Sequence, residues 1–224
     1  MISNKYFTII LARSGSKEIK NKNIINLRGR PLLYWTIKNS LKSKKIIKTF
    51  VSSDSNKILR IAKKFGAETI KRPKKLAGDN SSSEEAWCHA LEEINKKYEK
   101  PSHIVGLQIT SPIREDNDID KAIYQLEKNR FDSLFSCQII KDYFIWKKKK
   151  FKLIPNYSYK KRKLRQKISE KYLENGSIYI FNAEKFLKTK NRLFGKIGNY
   201  VMKKRTSFQI DDAEDLEIVK KIFN

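Results

Sequence analysis

The chain has 224 residues, a length that suits one domain or one domain with a sizeable insertion. It has no run of about 18 apolar residues, which excludes a membrane-spanning helix, and its two cysteines lack metal-ligand spacing, which indicates free thiols in a reducing, cytoplasmic compartment. The formal net charge of +26 is carried by 39 Lys against 11 Arg spread along the chain, a pattern that disfavours a specific nucleic-acid binder.

The first predicted element is a buried strand over residues 6–12, an apolar run too short for a secretory signal peptide. A loop of small residues follows this strand, and the three cations Arg13, Lys17 and Lys22 accompany it. Backbone N–H groups in such a loop can approach an anion closely, and Arg and Lys add charge where a polyphosphate would lie. The spacing alone leaves two interpretations open, a phosphate site or a basic turn in solvent.

Strand-like and helix-period segments alternate between residues 31 and 137. This alternation predicts an α/β fold with a mostly parallel sheet and helices on both faces, in which ligands bind beyond the carboxyl ends of the strands. Polar clusters follow the strands or lead into the helices, so we expect them to share one edge of the sheet. The clusters cover residues 13–23, 52–55, 78–83 and 108–114; the predicted strands are 46–52, 68–71, 103–109 and 133–137, and the predicted helices begin near residues 31 and 55 and run through 86–94 and 119–126.

The alternation breaks at residues 139–173, which are basic, aromatic and poorly periodic. We expect a long loop or a projecting arm there, and an arm of this kind commonly packs against a second subunit. The later predicted features are a turn at 175–176, strands at 177–181, 201–202 and 207–210, and a final helix with Asp212 as its N-cap.

The order and spacing of the motifs resemble the acylneuraminate cytidylyltransferases, or CMP-sialic acid synthetases, a family that includes the legionaminic and pseudaminic acid cytidylyltransferases. The resemblance covers nearly the whole chain. It implies a single domain over 1–224 with a three-layer, Rossmann-like nucleotide-diphospho-sugar transferase fold, and a homodimer in which the inserted arm at 139–173 is a contact. The matching segments are RSGSK at 13–17, KN at 22–23, VSSD at 51–54, KRP at 71–73, LQITSPIR at 107–114, RQ at 165–166, ENGSIY at 174–179 and ID at 210–211.

The resemblance implies that the anomeric hydroxyl of a nine-carbon 2-keto sugar acid attacks the α-phosphate of CTP, giving a CMP-sugar and pyrophosphate. Such products feed lipopolysaccharide, capsule or other surface glycan synthesis. Catalysis of this attack is mostly positioning and charge neutralisation. By resemblance, Arg13 and Lys17 hold the β- and γ-phosphates, and Ser16 completes that cradle. Lys22 lies near the α-phosphate, and Asn23 contacts the nucleotide.

The resemblance also implies residues for the two ends of the substrate pair. Arg72 and Ser82 match positions that bind the cytidine part of CTP. Gln108 and Arg165 match positions near the sugar acid, whose carboxylate favours an arginine partner. For Arg165 the alternative is one more solvated cation within a basic segment.

Asp211 matches the metal ligand of the family, and its hard carboxylate suits Mg²⁺ bound together with phosphate oxygens and waters. The family often has Asp-Ile-Asp at this point, whereas this chain has Gln209-Ile210-Asp211. On a strand, residues 209 and 211 share one face. We therefore expect either a weak cation site in which Gln209 joins Asp211, or a second ligand from elsewhere.

Two alternatives remain open from the sequence. The related transferase for the eight-carbon acid of lipopolysaccharide, Kdo, shares the fold and the chemistry. From a different class, the chain could be a catalytically degenerate member that binds RNA or another polyanion. The motifs also do not specify which sugar acid is used, because N-acetylneuraminic, legionaminic and pseudaminic acid are all compatible with them.

Overall fold

A seven-stranded sheet forms the centre of the computed structural model, which describes residues 4–16, 18–141 and 144–223. Two short antiparallel pairs lie outside this sheet. In chain order the described strands are β1 (Tyr6–Leu11), β2 (Asn26–Leu27), β3 (Arg30–Pro31), β4 (Ile46–Ser53), β5 (Glu68–Lys71), β6 (His103–Leu107), β7 (Ser133–Ile140), β8 (Trp146–Lys149), β9 (Lys152–Pro155), β10 (Lys171–Asn182) and β11 (Ile197–Val201).

The sheet has the order β11-β7-β10-β6-β1-β4-β5. Its described strand pairs are parallel except for the two that include β10, which confirms the predicted mostly parallel sheet. From β1 the chain moves outward to β4 and β5, and then returns to β6 on the other side of β1. Ligands in such sheets bind where the order reverses, at the carboxyl ends of the two central strands.

Helices cover both faces of the sheet, as the alternation predicts. Side chains of β1 point alternately to the two faces, with Phe7 and Ile9 in one apolar cluster and Tyr6 and Ile10 in the other. None of the described helices is long and apolar enough to cross a membrane. The helices are α1 (Leu32–Lys42), α2 (Asn56–Lys64), α4 (Asp118–Asn129) and α6 (Ala213–Ile222) on the Tyr6 face, and α3 (Ser83–Lys97) and α5 (Ala183–Thr189) on the Phe7 face.

The helix starts follow the capping residues that the sequence indicates. Ser55 precedes α2 and accepts a hydrogen bond from the Ile58 N–H at 3.4 Å. Asp212 precedes α6 in a capping box with Asp215, which confirms its prediction as an N-cap. These side chains satisfy N–H groups that have no partner within the helix itself.

The predicted arm at 139–173 contains a hairpin. β7 extends to Ile140 and β10 begins at Lys171, so both ends of the predicted arm belong to the central sheet. Between them β8 and β9 pair antiparallel, and Phe151 in the connecting turn is fully exposed. The hairpin lies apart from the main sheet, and its predicted role as a dimer contact stays a prediction.

Two predictions about the last third of the chain are wrong. Asn175 and Gly176 lie inside β10 rather than in a turn, and the pairing of β10 with β7 shifts register between Glu174 and Tyr179. This irregularity is a bulge, which sequence alone cannot distinguish from a turn because its partner strands are distant along the chain. Residues 207–210 are irregular rather than a strand; Ile210 donates a backbone hydrogen bond to the Thr110 carbonyl at 2.8 Å.

Candidate active site

A cleft of about 560 Å³ opens at the carboxyl ends of β1 and β6. Its walls come from the loop after β1, the segment 72–83 that leads into α3, and the end of β6. This is the point where the strand order of the sheet reverses. Residues that the sequence analysis assigned to CTP or to the sugar acid line this cleft together: Arg13, Ser16, Lys22, Asn23, Arg72, Ser82 and Gln108.

Hydrogen bonds to neighbouring elements hold the loop after β1 in shape. The Asp54 carboxylate accepts hydrogen bonds from both the backbone N–H and the hydroxyl of Ser14, the N–H at 2.8 Å. Partial burial acts to raise the pKa of Asp54, but the hydrogen bonds from Ser14, a backbone hydrogen bond within Asp54 and the charge of Arg72 together hold this pKa below its usual range. The side-chain amide of Asn23 donates to the Arg13 carbonyl at 2.8 Å. Asp54 and Asn23 therefore preorganise the loop that carries Arg13.

Arg13 reaches across the cleft mouth to the loop before α3. Its Nη1 lies 3.1 Å from Asp79 Oδ1 and 3.3 Å from the Gly78 carbonyl oxygen. The two side chains of the ion pair are 38% and 49% exposed, and exposed pairs of this kind contribute about 0–1 kcal/mol. An incoming phosphate can therefore compete for this guanidinium at little cost in stability.

Arg72 is the most unusual side chain of the cleft. It is 4% exposed, and its Nε and Nη2 atoms have no hydrogen-bond partner within the described part of the chain. Burial lowers the pKa of Arg72, and the nearby Asp54 carboxylate partly opposes that shift. Arginine nevertheless stays protonated in proteins. A buried cation with two unsatisfied donors indicates a site for oxygen acceptors of a ligand.

Ser82 has a structural role beside its predicted contact with cytidine. It is the N-cap of α3, accepting from the Glu85 N–H at 3.1 Å while the Glu85 carboxylate accepts from the Ser82 N–H at 2.9 Å. The cap places the amino terminus of a 15-residue helix at the cleft. Helix N-termini attract anions through their unsatisfied N–H groups and the helix dipole.

Lys22 and Asp211 meet at one edge of the cleft. The Lys22 ammonium donates to the backbone carbonyls of Asp211 at 2.7 Å and Ile210 at 3.1 Å, and lies 3.9 Å from Asp211 Oδ1. The Lys22 side chain is 12% exposed, whereas that of Asp211 is 71% exposed. The two predicted catalytic residues are therefore neighbours, and the carboxylate is open to solvent. Within the described ranges, no cluster of three or more His, Cys, Asp or Glu could hold a metal by itself.

The sequence analysis gave no role to Arg114, which the structure places behind the cleft. Its Nη2 donates to the carbonyls of Gln108 at 2.8 Å and Ser177 at 2.9 Å, so it ties the end of β6 to β10. Burial lowers the pKa of Arg114, and the nearby Asp118 carboxylate opposes that shift. The residue closes the motif at 107–114, but its burial and its contact with Ser177, 63 residues away, follow from the fold.

Two predicted site residues lie wholly or partly outside what the structure describes, and a third is engaged inside the protein. Lys17 lies outside the described residues. Arg165 falls in a short 3-10 turn, Arg165–Lys167, and its side chain also lies outside what the structure describes. Gln209 donates its side-chain amide to the Asn175 carbonyl at 2.5 Å. The side chain that was predicted to join a cation site is therefore already engaged in a contact inside the protein.

Comparisons with known proteins point in one direction. A family model described as cytidylyltransferase matches residues 7–223. An N-acylneuraminate cytidylyltransferase of Escherichia coli is 35% identical, the match covering 96% of this chain and 51% of the relative. A pseudaminic acid cytidylyltransferase of Campylobacter jejuni is 28% identical, with 98% of this chain and 96% of the relative covered. The chain thus spans about half the length of the E. coli relative and nearly the full length of the C. jejuni one.

Solved structures share the architecture. CMP:2-keto-3-deoxy-manno-octonic acid synthetase complexed with CTP superposes with a TM-score of 0.71 at 15% identity, covering 98% of each chain. A 4-diphosphocytidyl-2C-methyl-D-erythritol synthase superposes with a TM-score of 0.73 at 9% identity, covering 100% of each chain. At such identities the likeness establishes the fold alone, and it confirms the predicted nucleotide-diphospho-sugar transferase architecture.

Proposed function

The chain belongs to the cytidylyltransferase family, and on that premise we propose that it transfers CMP from CTP to the anomeric hydroxyl of a sialic acid-like nonulosonic acid. The products are the CMP-sugar and pyrophosphate. The observation that carries this proposal is the guanidinium of Arg72, a buried cation with two unsatisfied donors in a residue that lines one cleft with Arg13, Lys22 and the amino terminus of α3. The named sialic and pseudaminic acid relatives support the choice of acceptor class.

In the proposed reaction the sugar hydroxyl attacks the α-phosphate in line, and negative charge grows on the departing pyrophosphate. Arg13 moves from its exposed partner Asp79 to the β- and γ-phosphates, where Lys17 and Ser16 join it. Lys22 is already fixed by two backbone carbonyls and neutralises charge near the α-phosphate.

Arg72 and Ser82 orient the cytidine end, and Asn23 keeps the loop in place through the Arg13 carbonyl. These groups need little rearrangement when charge develops, which is the main source of catalysis in such transfers.

A divalent cation, in our proposal Mg²⁺, completes the site. The residues present fit a hard cation because Asp211 offers an exposed carboxylate beside the cleft and a triphosphate supplies further oxygen ligands. When bound, the cation polarises the α-phosphate and neutralises charge on the triphosphate. The sequence leaves the second protein ligand open between Gln209 and a group from elsewhere in the chain.

We propose that the sugar acid lies on the Gln108 side of the cleft and that a second copy of the chain covers it. Gln108 and Arg165 are the proposed contacts, with Arg165 on the basic arm. That arm exposes large apolar side chains, including Phe151 at 101% and Leu153 at 63% in the hairpin and Leu164 at 65% beyond it. A homodimer would bury them. A cytoplasmic site and a role in surface glycan synthesis belong to the same proposal.

The test is a pyrophosphate-release assay with CTP, Mg²⁺ and one acid at a time. The panel contains N-acetylneuraminic, legionaminic and pseudaminic acids and the eight-carbon acid Kdo, and mass spectrometry identifies the nucleotide sugar. We expect pyrophosphate and CMP-sugar in equal amounts with at least one nine-carbon acid. Turnover of the eight-carbon acid alone would replace the proposed substrate class. If folded protein turns over no acid and instead binds RNA in a salt-sensitive way, the polyanion-binding alternative is correct.

A further inference from the structure

Gln209 occupies a position where the resemblance leads one to expect a carboxylate that binds metal, but its contacts point elsewhere. We propose that Gln209 is a positioning residue that fixes the acceptor side of the cleft through Asn175 and Gly176. The inference rests on the proposed function, because it concerns how the sugar acid finds Gln108. It replaces the predicted role of Gln209 as a cation ligand.

The Gln209 amide is oriented with its nitrogen toward the backbone of Asn175. Its Nε2 lies 2.5 Å from the backbone carbonyl oxygen of Asn175. A carbonyl oxygen only accepts hydrogen bonds, so this contact requires a donor at residue 209. A carboxylate there would bring two acceptors together, and the electrostatic repulsion would push the Asn175 carbonyl away. The amide is thus the group that this neighbour requires.

Hydrogen bonds hold Asn175 from several directions. It is 3% exposed, and its Oδ1 accepts from the Ser136 hydroxyl at 2.6 Å and from the Ser177 N–H at 3.2 Å. Its Nδ2 donates to the Ser207 hydroxyl at 3.1 Å, and its carbonyl also accepts from the Ser111 hydroxyl at 3.4 Å. The bulge in β10 is therefore organised around this one side chain, and Gln209 supplies the shorter of the two contacts to its carbonyl.

Gly176 connects the bulge to Gln108. Gly176 has a φ of +64°, and a Cβ atom on it would lie 2.6 Å from Gln108 Oε1 and 3.0 Å from Gln209 Nε2. The two glutamine side chains therefore meet over the one residue without a side chain. A shift of the Asn175 carbonyl moves Gly176, and with it the surface on which Gln108 rests. Gln209 acts on the acceptor through this path rather than by touching it.

Asp211 provides the contrast that makes the inference testable. Its carboxylate is 71% exposed beside Lys22, and the Asp211 N–H donates to the Asp215 carboxylate at 2.9 Å. None of the hydrogen bonds described for Asp211 includes Gln209. A cation bound at Asp211 should therefore be insensitive to the loss of the Gln209 amide.

The experiment compares Gln209→Met, which keeps the side-chain length but removes donor and acceptor, with Asp211→Asn. Binding of Mn²⁺ in the presence of CTP is measured by electron paramagnetic resonance, and kcat and KM are measured for each substrate. For Gln209→Met we expect the KM of the sugar acid to rise about tenfold, about 1.4 kcal/mol, with the CTP KM and the Mn²⁺ affinity within about twofold of wild type. Asp211→Asn should show the reverse pattern, with weakened Mn²⁺ binding.

Hydrogen exchange supplies a readout that needs no turnover. Two backbone N–H groups lie within the bulge. That of Ser177 donates to Asn175 Oδ1, and that of Ile178 donates to the hydroxyl of Ser136 on β7. We expect these two amides to exchange at least about tenfold faster in Gln209→Met, with the amides of α3 unchanged. A Gln209→Met protein with weakened Mn²⁺ binding, or with unchanged exchange and unchanged acceptor KM, would overturn the inference. Failure of wild-type protein to use any acid would instead count against the proposed function, because the exchange result stands on its own.

Discussion

The guanidinium of Arg72 costs the ligand-free protein stability. Each buried donor without a partner typically costs about 1–3 kcal/mol, and two nitrogens of Arg72 have no partner among the described residues. A nucleotide brings carbonyl and phosphate oxygens that could satisfy them. If the proposed nucleotide binds there, the cleft exchanges stability in the ligand-free state for affinity in the bound state.

The lowered pKa of Asp54 predicts how the stability of the loop after β1 depends on pH. Because its folded-state pKa is below the usual value of about 3.9, its carboxylate stabilises the loop above that pH, and this contribution disappears as pH falls through the folded-state pKa. Ser14→Ala removes the hydroxyl that donates to it, so the Asp54 pKa should rise and the loss should begin at higher pH. Carboxyl carbon NMR titration measures both values. Ser16→Ala, in the same loop, is the control, and an equal Asp54 pKa in wild type and Ser14→Ala would contradict the assignment.

At the scale of elements, the predictable features are those set by local periodicity and capping. Residues 46–52 gave β4, and the helical spacing after Ser55 gave α2, because burial of one face imposes a period on the chain. The bulge at Asn175 and Gly176 and the irregular segment 207–210 depend on partners far along the chain, such as Gln108 and Thr110. Local pattern carries no information about such partners. The hairpin of β8 and β9 was not predicted for another reason: both strands are short and lack a buried face, and β8 is mostly lysine.

In the candidate site, too, some features were predictable from local sequence and others depend on distant partners. Arg13 and Lys22 were predictable as residues of one sheet edge because they belong to the loop that follows β1, whereas Arg72 was assigned by resemblance and lines the same cleft. The backbone carbonyls that hold Lys22, and the buried Arg114 that ties β6 to β10, follow from tertiary contacts that spacing cannot reveal. Sequence reasoning therefore brought candidate side chains together in one cleft, but it did not identify the groups that hold them in position.

The amino terminus of α3 allows a prediction that separates the two roles of Ser82. Ser82→Asp keeps an N-cap but adds a negative charge at the cleft, whereas Ser82→Ala removes the cap at a typical cost of about 1 kcal/mol. We expect Ser82→Asp to melt near the wild-type temperature with a raised CTP KM, and Ser82→Ala to melt lower with a smaller change in KM. Ser82→Asn, a neutral capping residue, is the matched control. Tight CTP binding by Ser82→Asp would show that this residue does not face the nucleotide.

For the whole molecule, the exposed hairpin predicts the oligomeric state. A charge in place of Leu153, which is 63% exposed, should disfavour burial of the arm against a second copy. We expect wild-type protein to elute as a dimer with light-scattering detection, and Leu153→Asp to shift toward monomer at the same concentration. Tyr124→Asp, which alters an exposed residue on α4 at 59%, is the control and should stay dimeric. A monomeric wild type, or a dimeric Leu153→Asp, places the contact elsewhere or removes it.

The measurement that tests the central claim most directly is thermal unfolding with and without CTP and Mg²⁺, in wild type and in Arg72→Met. Binding to the folded state at 100 times Kd adds about 2.7 kcal/mol, which raises Tm by several degrees in a chain of this size. We predict that CTP raises the wild-type Tm more than UTP does at equal concentration. We also predict that ligand-free Arg72→Met melts no lower than wild type and loses most of the CTP shift. A wild-type Tm that CTP leaves unchanged, or an Arg72→Met protein that keeps the full shift, would contradict the account.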